Sequence, residues 1–125
     1  MAFAVQVQNM GEFVNLRCVG RLVFDEGTNA LRAAVKSQKS NQILLDFSEV
    51  EAIDAAGVGT LASLQQFAAS SARNLVIVRP QRQVLRVLRL TKADSVLNLY
   101  LQEEHSLKSL FRKALAPLRA RISGA

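Results

Sequence analysis

Two short apolar runs constrain this chain more than any other feature. Ile43-Leu44-Leu45 and Leu75-Val76-Ile77-Val78 are continuous and show no polar alternation. A strand with one wet side alternates; a run that does not alternate is buried on both faces, as central strands of parallel sheets are. Parallel neighbours need a crossover between them. The intervening residues supply one, because Val58, Leu61, Ala62, Gln65 and Ala68 recur on one helical face.

The flanking segments extend this core. Phe3, Val5 and Val7 alternate with Gln6 and Gln8, which predicts a half-buried strand. Asn9-Met10-Gly11-Glu12 reads as a hairpin turn. Beyond it Val14, Leu16 and Cys18 face inward, with Asn15 and Arg17 outward. Asp25, Glu26 and Thr28 gather where a helix should begin, since its positive N-terminus favours them. Ala30, Leu31, Ala34 and Val35 carry that helix, and polar residues from Ser37 to Asn41 end it. Pro80 suits the first turn of a further helix with Val84, Leu85, Val87 and Leu88 on its apolar side. Val96 to Leu101 predicts a short edge strand. Leu107, Leu110, Phe111, Ala114, Leu115 and Leu118 form the stripe of an amphipathic C-terminal helix over about 103–118. The order predicts an α/β fold: a mixed four- to five-stranded sheet with an N-terminal hairpin. With 125 residues, half of them hydrophobic, one domain spanning 1–125 is expected.

The chemistry-bearing residues are few. One Cys and one His leave no intrachain disulfide and no ordinary metal centre, and no cofactor is expected. Cys18 reads as a small core hydrophobe. No phosphate-binding glycine loop and no nucleophile elbow occurs. His105, within Glu103-Glu104-His105-Ser106, reads as the exposed first turn of the last helix. Asp46 and Asp54 fall near the C-terminal ends of strands, where α/β sheets place their sites. Without a nucleophile beside them, they read as loop carboxylates that accept backbone N–H groups. The chain is expected not to be an enzyme. No apolar run approaches the roughly 20 residues that span a bilayer. The first residues lack a basic segment followed by an apolar one, so a cytoplasmic protein is expected.

There are 16 Lys+Arg against 10 Asp+Glu, a net charge of +6, which favours acidic partners. Arg79, Arg82, Arg86 and Arg89, spaced three or four apart, predict a stripe along the third helix, extended by Lys92. Lys108, Arg112, Lys113, Arg119 and Arg121 place more charge on the last helix and tail. Such a stripe is first the solvated side of a helix and second a site for carboxylate or phosphate. With no Trp and one Tyr there is little to stack bases on, so nucleic acid is disfavoured.

The stretch from Ile43 to Leu61 runs Ile-Leu-Leu-Asp-Phe-Ser-Glu-Val-Glu-Ala-Ile-Asp-Ala-Ala-Gly-Val-Gly-Thr-Leu. It resembles the STAS domain, the family of bacterial anti-sigma factor antagonists and of the cytoplasmic tails of sulfate transporters. That family's pattern is an apolar strand ending in Asp, a short loop, then Asp-Ser-Ser-Gly-Leu-Gly opening a helix. Leu75 to Pro80, Val84 to Leu88 and Leu90 to Asp94 resemble it too. The resemblance implies about four helices mainly on one face of the sheet. It implies binding to an anti-sigma factor, often a serine kinase of the histidine-kinase-like ATPase type. In the family that kinase phosphorylates the first Ser of the motif and so ends the binding. Here that position is Ala55, followed by Ala56, and neither has a hydroxyl to phosphorylate.

The implied partner surface is Asp54, Ala55, Ala56, Gly57, Val58 and Gly59 with the adjoining loop of Val23 and Asp25, glycines 57 and 59 admitting the partner closely. The family's usual Gly-x-Leu-Asp is Gly20-Arg21-Leu22-Val23 here, with Asp25 standing in for the Asp. Ser48 in the preceding loop and Thr60 and Ser63 on the helix are the other hydroxyls in reach. The expected function is an anti-sigma factor antagonist not switched at the usual site. One alternative is a STAS accessory subunit of a membrane transport ATPase, such as a phospholipid transporter. Another is a nucleotide-binding sensor using the arginine stripe.

Overall fold

The computed structural model describes residues 3–118. Five strands form one sheet in the order β1-β2-β3-β4-β5. β1 (Ala4–Asn9) and β2 (Val14–Leu22) pair antiparallel as the expected hairpin. β3 (Gln42–Ile53), β4 (Asn74–Val78) and β5 (Leu99–Tyr100) continue the sheet in parallel. The crossovers are α1 (Glu26–Lys36), α2 (Ala55–Ser70) and α3 (Arg82–Leu90). α4 (Leu107–Leu110) runs straight into a π-helical turn, Phe111–Leu115.

The absence of alternation in the two apolar runs has a direct cause. Leu45 and Ile77 face one core with Leu31, Leu61, Leu64, Val84 and Leu88 from α1, α2 and α3. Their neighbours Leu44, Val76 and Val78 face a second core with Phe13, Leu110, Phe111 and Leu115. The rings of Phe13 and Phe111 stack with centroids 4.8 Å apart and planes 5° from parallel. Three helices therefore cover one face and the C-terminal helix covers the other, so both sides of the central strands are dry.

Several expectations are corrected by the structure. β3 does not stop near Asp46 but continues to Ile53. Between Arg17 and Val19, and again between Gly20 and Arg21, β3 carries one residue more than β2. Such bulges bend a strand and increase its twist, which is how pairing survives the polar Ser48-Glu49 stretch. Ser48 is thus a strand residue, and Asp46 sits mid-strand, level with Val78 at the end of β4. Asn15 is not outward in solvent: it is 1% exposed, and its amide donates to Gln8 Oε1 at 2.6 Å. Val7, expected inward, is 55% exposed because β1 is an edge.

The buried side of α2 is Gly57, Thr60, Leu61, Leu64 and Ala68, with Val58 and Gln65 only half-buried at its margin. Pro80 lies ahead of α3, whose N-cap is Gln81. The last helix starts at Leu107 and not near 103. Ser106 Oγ caps it by accepting the Ser109 N–H at 3.1 Å, which puts His105 in the exposed connection before it. Arg119 and Arg121 lie outside the described residues.

Candidate functional site

The site is built where β2 and β3 both end. Asp54 is the N-cap of α2 and has extended backbone. Its Oδ1 accepts the Gly57 N–H at 2.8 Å, satisfying one of the free donors of the first helical turn. Its Oδ2 accepts the Phe24 N–H at 3.1 Å, from the segment leaving β2. The Asp54 N–H in turn donates to Leu22 O at 3.4 Å. One carboxylate therefore locks the two loops together. Its pKa is held below the ordinary carboxylate value chiefly by the Gly57 N–H; burial opposes this next, and the Phe24 N–H adds to the lowering.

Gly57 makes the junction tight. A Cβ there would stand 2.3 Å from Leu22 O and 2.7 Å from Ile53 Cγ1. The expectation that Gly57 admits a partner is therefore corrected: it faces inward and lets α2 lie against the end of β2. Gly59 is the opposite case, exposed, with nothing within 4 Å of a built Cβ.

Of the other expected surface residues, Ala55 is exposed, and Ala56, Val58 and Val23 are half-buried. Asp25 is exposed with a positive φ of 76°. Its side chain makes no cap bond to α1, and Asp25 Oδ1 accepts instead from Asn29 Nδ2 at 3.2 Å. Phe24, Asp25, Thr28, Asn29, Arg32, Ala56, Gly59 and Thr60 line a groove of about 350 Å³ between the starts of α1 and α2. Arg32 Nη2 donates to Thr60 Oγ1 at 3.2 Å, tying the two helices. Thr60 is 2% exposed, so its hydroxyl is a buried tie and not a surface group. Ser63 is exposed on α2, whereas Ser48 is half-buried in β3.

Phe24 lies inside the Val23 to Asp25 loop expected on the partner surface but is not singled out by the sequence, and it is 75% exposed and lines this groove. Its only signal in sequence is an aromatic residue between a strand end and an acidic helix start. Arg32 and Asn29 had none, being ordinary polar positions of α1.

The arginine stripe is divided. Arg82, Arg86 and Arg89 are exposed on α3. Arg79 precedes that helix and turns the other way: its Nη1 lies 3.6 Å from Asp46 Oδ2 and its Nη2 donates to Glu104 O at 3.3 Å. The groove it lines, about 390 Å³, also holds Glu103 and Glu104, whose carboxylates oppose an anion there. Cys18 is buried; burial first and the Asp46 charge second push its thiol up to about 12. Among the described residues no group of three His, Cys, Asp or Glu is placed to hold a metal ion. Among them too, no helix is long and apolar enough to cross a membrane.

The geometry has known counterparts. A Thermotoga maritima protein provisionally named an anti-sigma factor antagonist is 29% identical over 99 residues, 79% of this chain and 80% of its own length. The crystal structure of an anti-sigma factor antagonist from Thermotoga maritima superposes with a TM-score of 0.73 at 23% identity, over 88% of this chain and 93% of that one. The unphosphorylated form of the anti-sigma factor antagonist SpoIIAA does so with a TM-score of 0.68 at 18% identity, over 88% of this chain and 96% of its own. Those two likenesses establish the shared fold, a mixed five-stranded sheet with its helices. Residues 7–103 match the family model described as Mlab, STAS domain. By that match, and by the capped turn at Asp54 that carries its motif, the chain belongs to the STAS domain family.

Proposed function

We propose that this protein is an anti-sigma factor antagonist that works in the cytoplasm by binding and not by catalysis. The observation that carries this reading is the Asp54 carboxylate, which ties the loop of exposed Phe24 to the start of α2, where Ala55 is exposed and Ala56 and Gly59 line a groove with Phe24. An aromatic anchor beside small residues and a shallow groove is the anatomy of a protein-binding patch. The name of the Thermotoga maritima relative supports the same class. The partner is an anti-sigma factor, a serine kinase of the histidine-kinase-like ATPase type. Position 55 stands where the family places its phosphoserine, and alanine there makes the binding independent of phosphorylation at that site.

A second reading rests on the same alanines. An accessory subunit of a membrane transport ATPase, docking through the same patch, needs no hydroxyl at position 55.

Affinity purification of the tagged chain from its native cell distinguishes them. The expected result is retention of an anti-sigma kinase, lost on Ala55→Asp, which puts a charge in the centre of the patch. Recovery of a transport ATPase subunit supports the second reading. Equal retention by Ala55→Asp shows that the patch is elsewhere.

A further inference from the structure

We propose that this chain associates with a second copy of itself through the outer edge of β1, joining two sheets into one. β1 has β2 on one side and no described strand on the other. Natural edges are guarded by charges, prolines or bulges. Residues Ala4–Asn9 contain no charge and no proline, and their register with β2 is unbroken from Ala4 to Asn9. At this unguarded edge Val7 is 55% exposed.

The backbone groups that face out can be identified. The Met10 N–H donates to Phe13 O at 2.9 Å, closing the hairpin as a hydrogen-bonded pair. In an antiparallel ladder such pairs alternate. Gln8, Gln6 and Ala4 therefore turn their N–H and C=O groups toward β2, and Val5, Val7 and Asn9 turn theirs toward solvent. A two-fold axis at Gln6 sets Val5 opposite Val7 of the second copy, and Val7 opposite its Val5. Both outward residues then exchange N–H···O=C bonds. The same register puts valine against valine on the helical face, covering Val7, and Gln6 against its own copy on the other face. An antiparallel strand that pairs with its own copy about a two-fold axis closes a dimer and leaves no further β1 edge to add to.

The neighbourhood leaves room. Arg32 on α1 reaches α2 through Thr60. At helical spacing Ala30 and Ala34 occupy the other flank of α1, and they pack with Val5 against the core. The α1 flank over the β1 edge is thus small, and the charge beside the edge is Lys39, in the loop after α1, which lines a groove with Val7 and Asn9 toward the hairpin end. The edge is separate from the Asp54 patch, so this inference does not depend on the proposed function.

Sedimentation equilibrium of the full chain over a concentration series tests it, with Val7→Lys and Val7→Pro as variants. Proline removes an N–H that points outward, so the β1–β2 ladder keeps all its bonds. The expected result is a wild-type monomer–dimer equilibrium whose Kd rises at least tenfold in both variants while the urea midpoint is retained. Should Val7→Pro fold poorly, Val7→Lys decides alone. Hydrogen exchange of the wild type adds a backbone readout, with the Val5 and Val7 amides slowed at high concentration. A wild type that stays monomeric overturns the proposal. So does a dimer whose Kd is unchanged by Val7→Lys, or one in which those amides exchange as in the monomer. A wild-type monomer that slows the same amides only on binding an extended peptide assigns the edge to strand addition by another protein, and also overturns it.

Discussion

Asp54 and Phe24 are thirty positions apart in sequence and joined by one hydrogen bond, 3.1 Å from the Phe24 N–H to Asp54 Oδ2. The other oxygen of the same carboxylate caps α2 through Gly57 at 2.8 Å. The start of the helix and the position of the exposed aromatic ring are therefore set by a single side chain.

Replacing that side chain separates its effects. Asp54→Ala removes the cap and is expected to cost about 1 kcal/mol of stability, the usual value for an N-cap. It also frees Phe24, so partner binding falls by more than the loss of stability accounts for. Asp54→Asn keeps a capping oxygen and is expected to restore most of the stability. Urea denaturation and a binding titration on the three proteins check both parts.

The charge of Asp54 adds a pH signature. Its folded pKa is lowered from the ordinary 3.8, with the Gly57 N–H as the largest cause. The unfolded chain therefore takes up this proton at higher pH than the folded one. The contribution is full above the unfolded value and is lost as pH falls through the folded one. Asp54→Asn lacks it, so its urea midpoint is expected to fall less than the wild-type midpoint between about pH 5 and pH 2. Parallel midpoint curves would show that the two N–H bonds do not favour the ionised form.

Gly57 and Gly59 look alike in sequence and are opposite in structure. Gly57→Ala drives a Cβ to 2.3 Å from Leu22 O, which is backbone and cannot move aside cheaply. Destabilisation of about 1–3 kcal/mol is expected, the range for overpacked sites. Gly59→Ala enters open space within α2 and is expected to stabilise by up to about 1 kcal/mol through helix propensity. Thermal or urea unfolding of the two variants should shift in opposite directions.

Most of the layout was legible because burial writes itself into residue type. Leu44 and Leu45 could both be apolar only in a strand covered on two sides, and that placed the sheet. The helix after Asp54 was legible from the capping carboxylate and the apolar spacing beyond it. What was not legible depends on long-range pairing. The bulges that carry β3 past Ser48 exist because β2 runs alongside, and nothing in the local sequence announces them. Arg79 shares the spacing of Arg82, Arg86 and Arg89, yet it lies before the helix, and the mid-strand carboxylate of Asp46 draws it away. Asn15 looked solvent-facing because strand alternation cannot foresee that the C-terminal helix covers the second face. In the site, Asp54 and the glycines could be read from the motif. Phe24 could not, since an exposed aromatic leaves no periodic trace.

Cys18 is expected to behave as a core residue toward thiol reagents. It is buried, and its thiol is pushed up to about 12, so the thiolate is scarce at neutral pH. Labelling by a disulfide reagent should be slow in the native protein and become fast in denaturant. Fast native labelling, in step with a free thiol in solution, would contradict the buried placement of β2.

Phe24 is the sharpest test of the patch. At 75% exposed it contributes little to the fold, and Phe24→Ala is expected to leave stability within about 0.5 kcal/mol of wild type. Aromatic anchors of interfaces lose about 2 kcal/mol or more on truncation, roughly thirtyfold in Kd. Leu90 provides the control, since it is 73% exposed on α3, outside the groove. Leu90→Ala removes a comparable exposed apolar side chain and is expected to leave binding unchanged. Isothermal titration of both variants against the captured partner decides the matter. A large loss for Phe24→Ala alone places the partner over the Asp54 junction. An equal loss for both, or a loss for Leu90→Ala alone, moves the binding surface to α3 and its arginines.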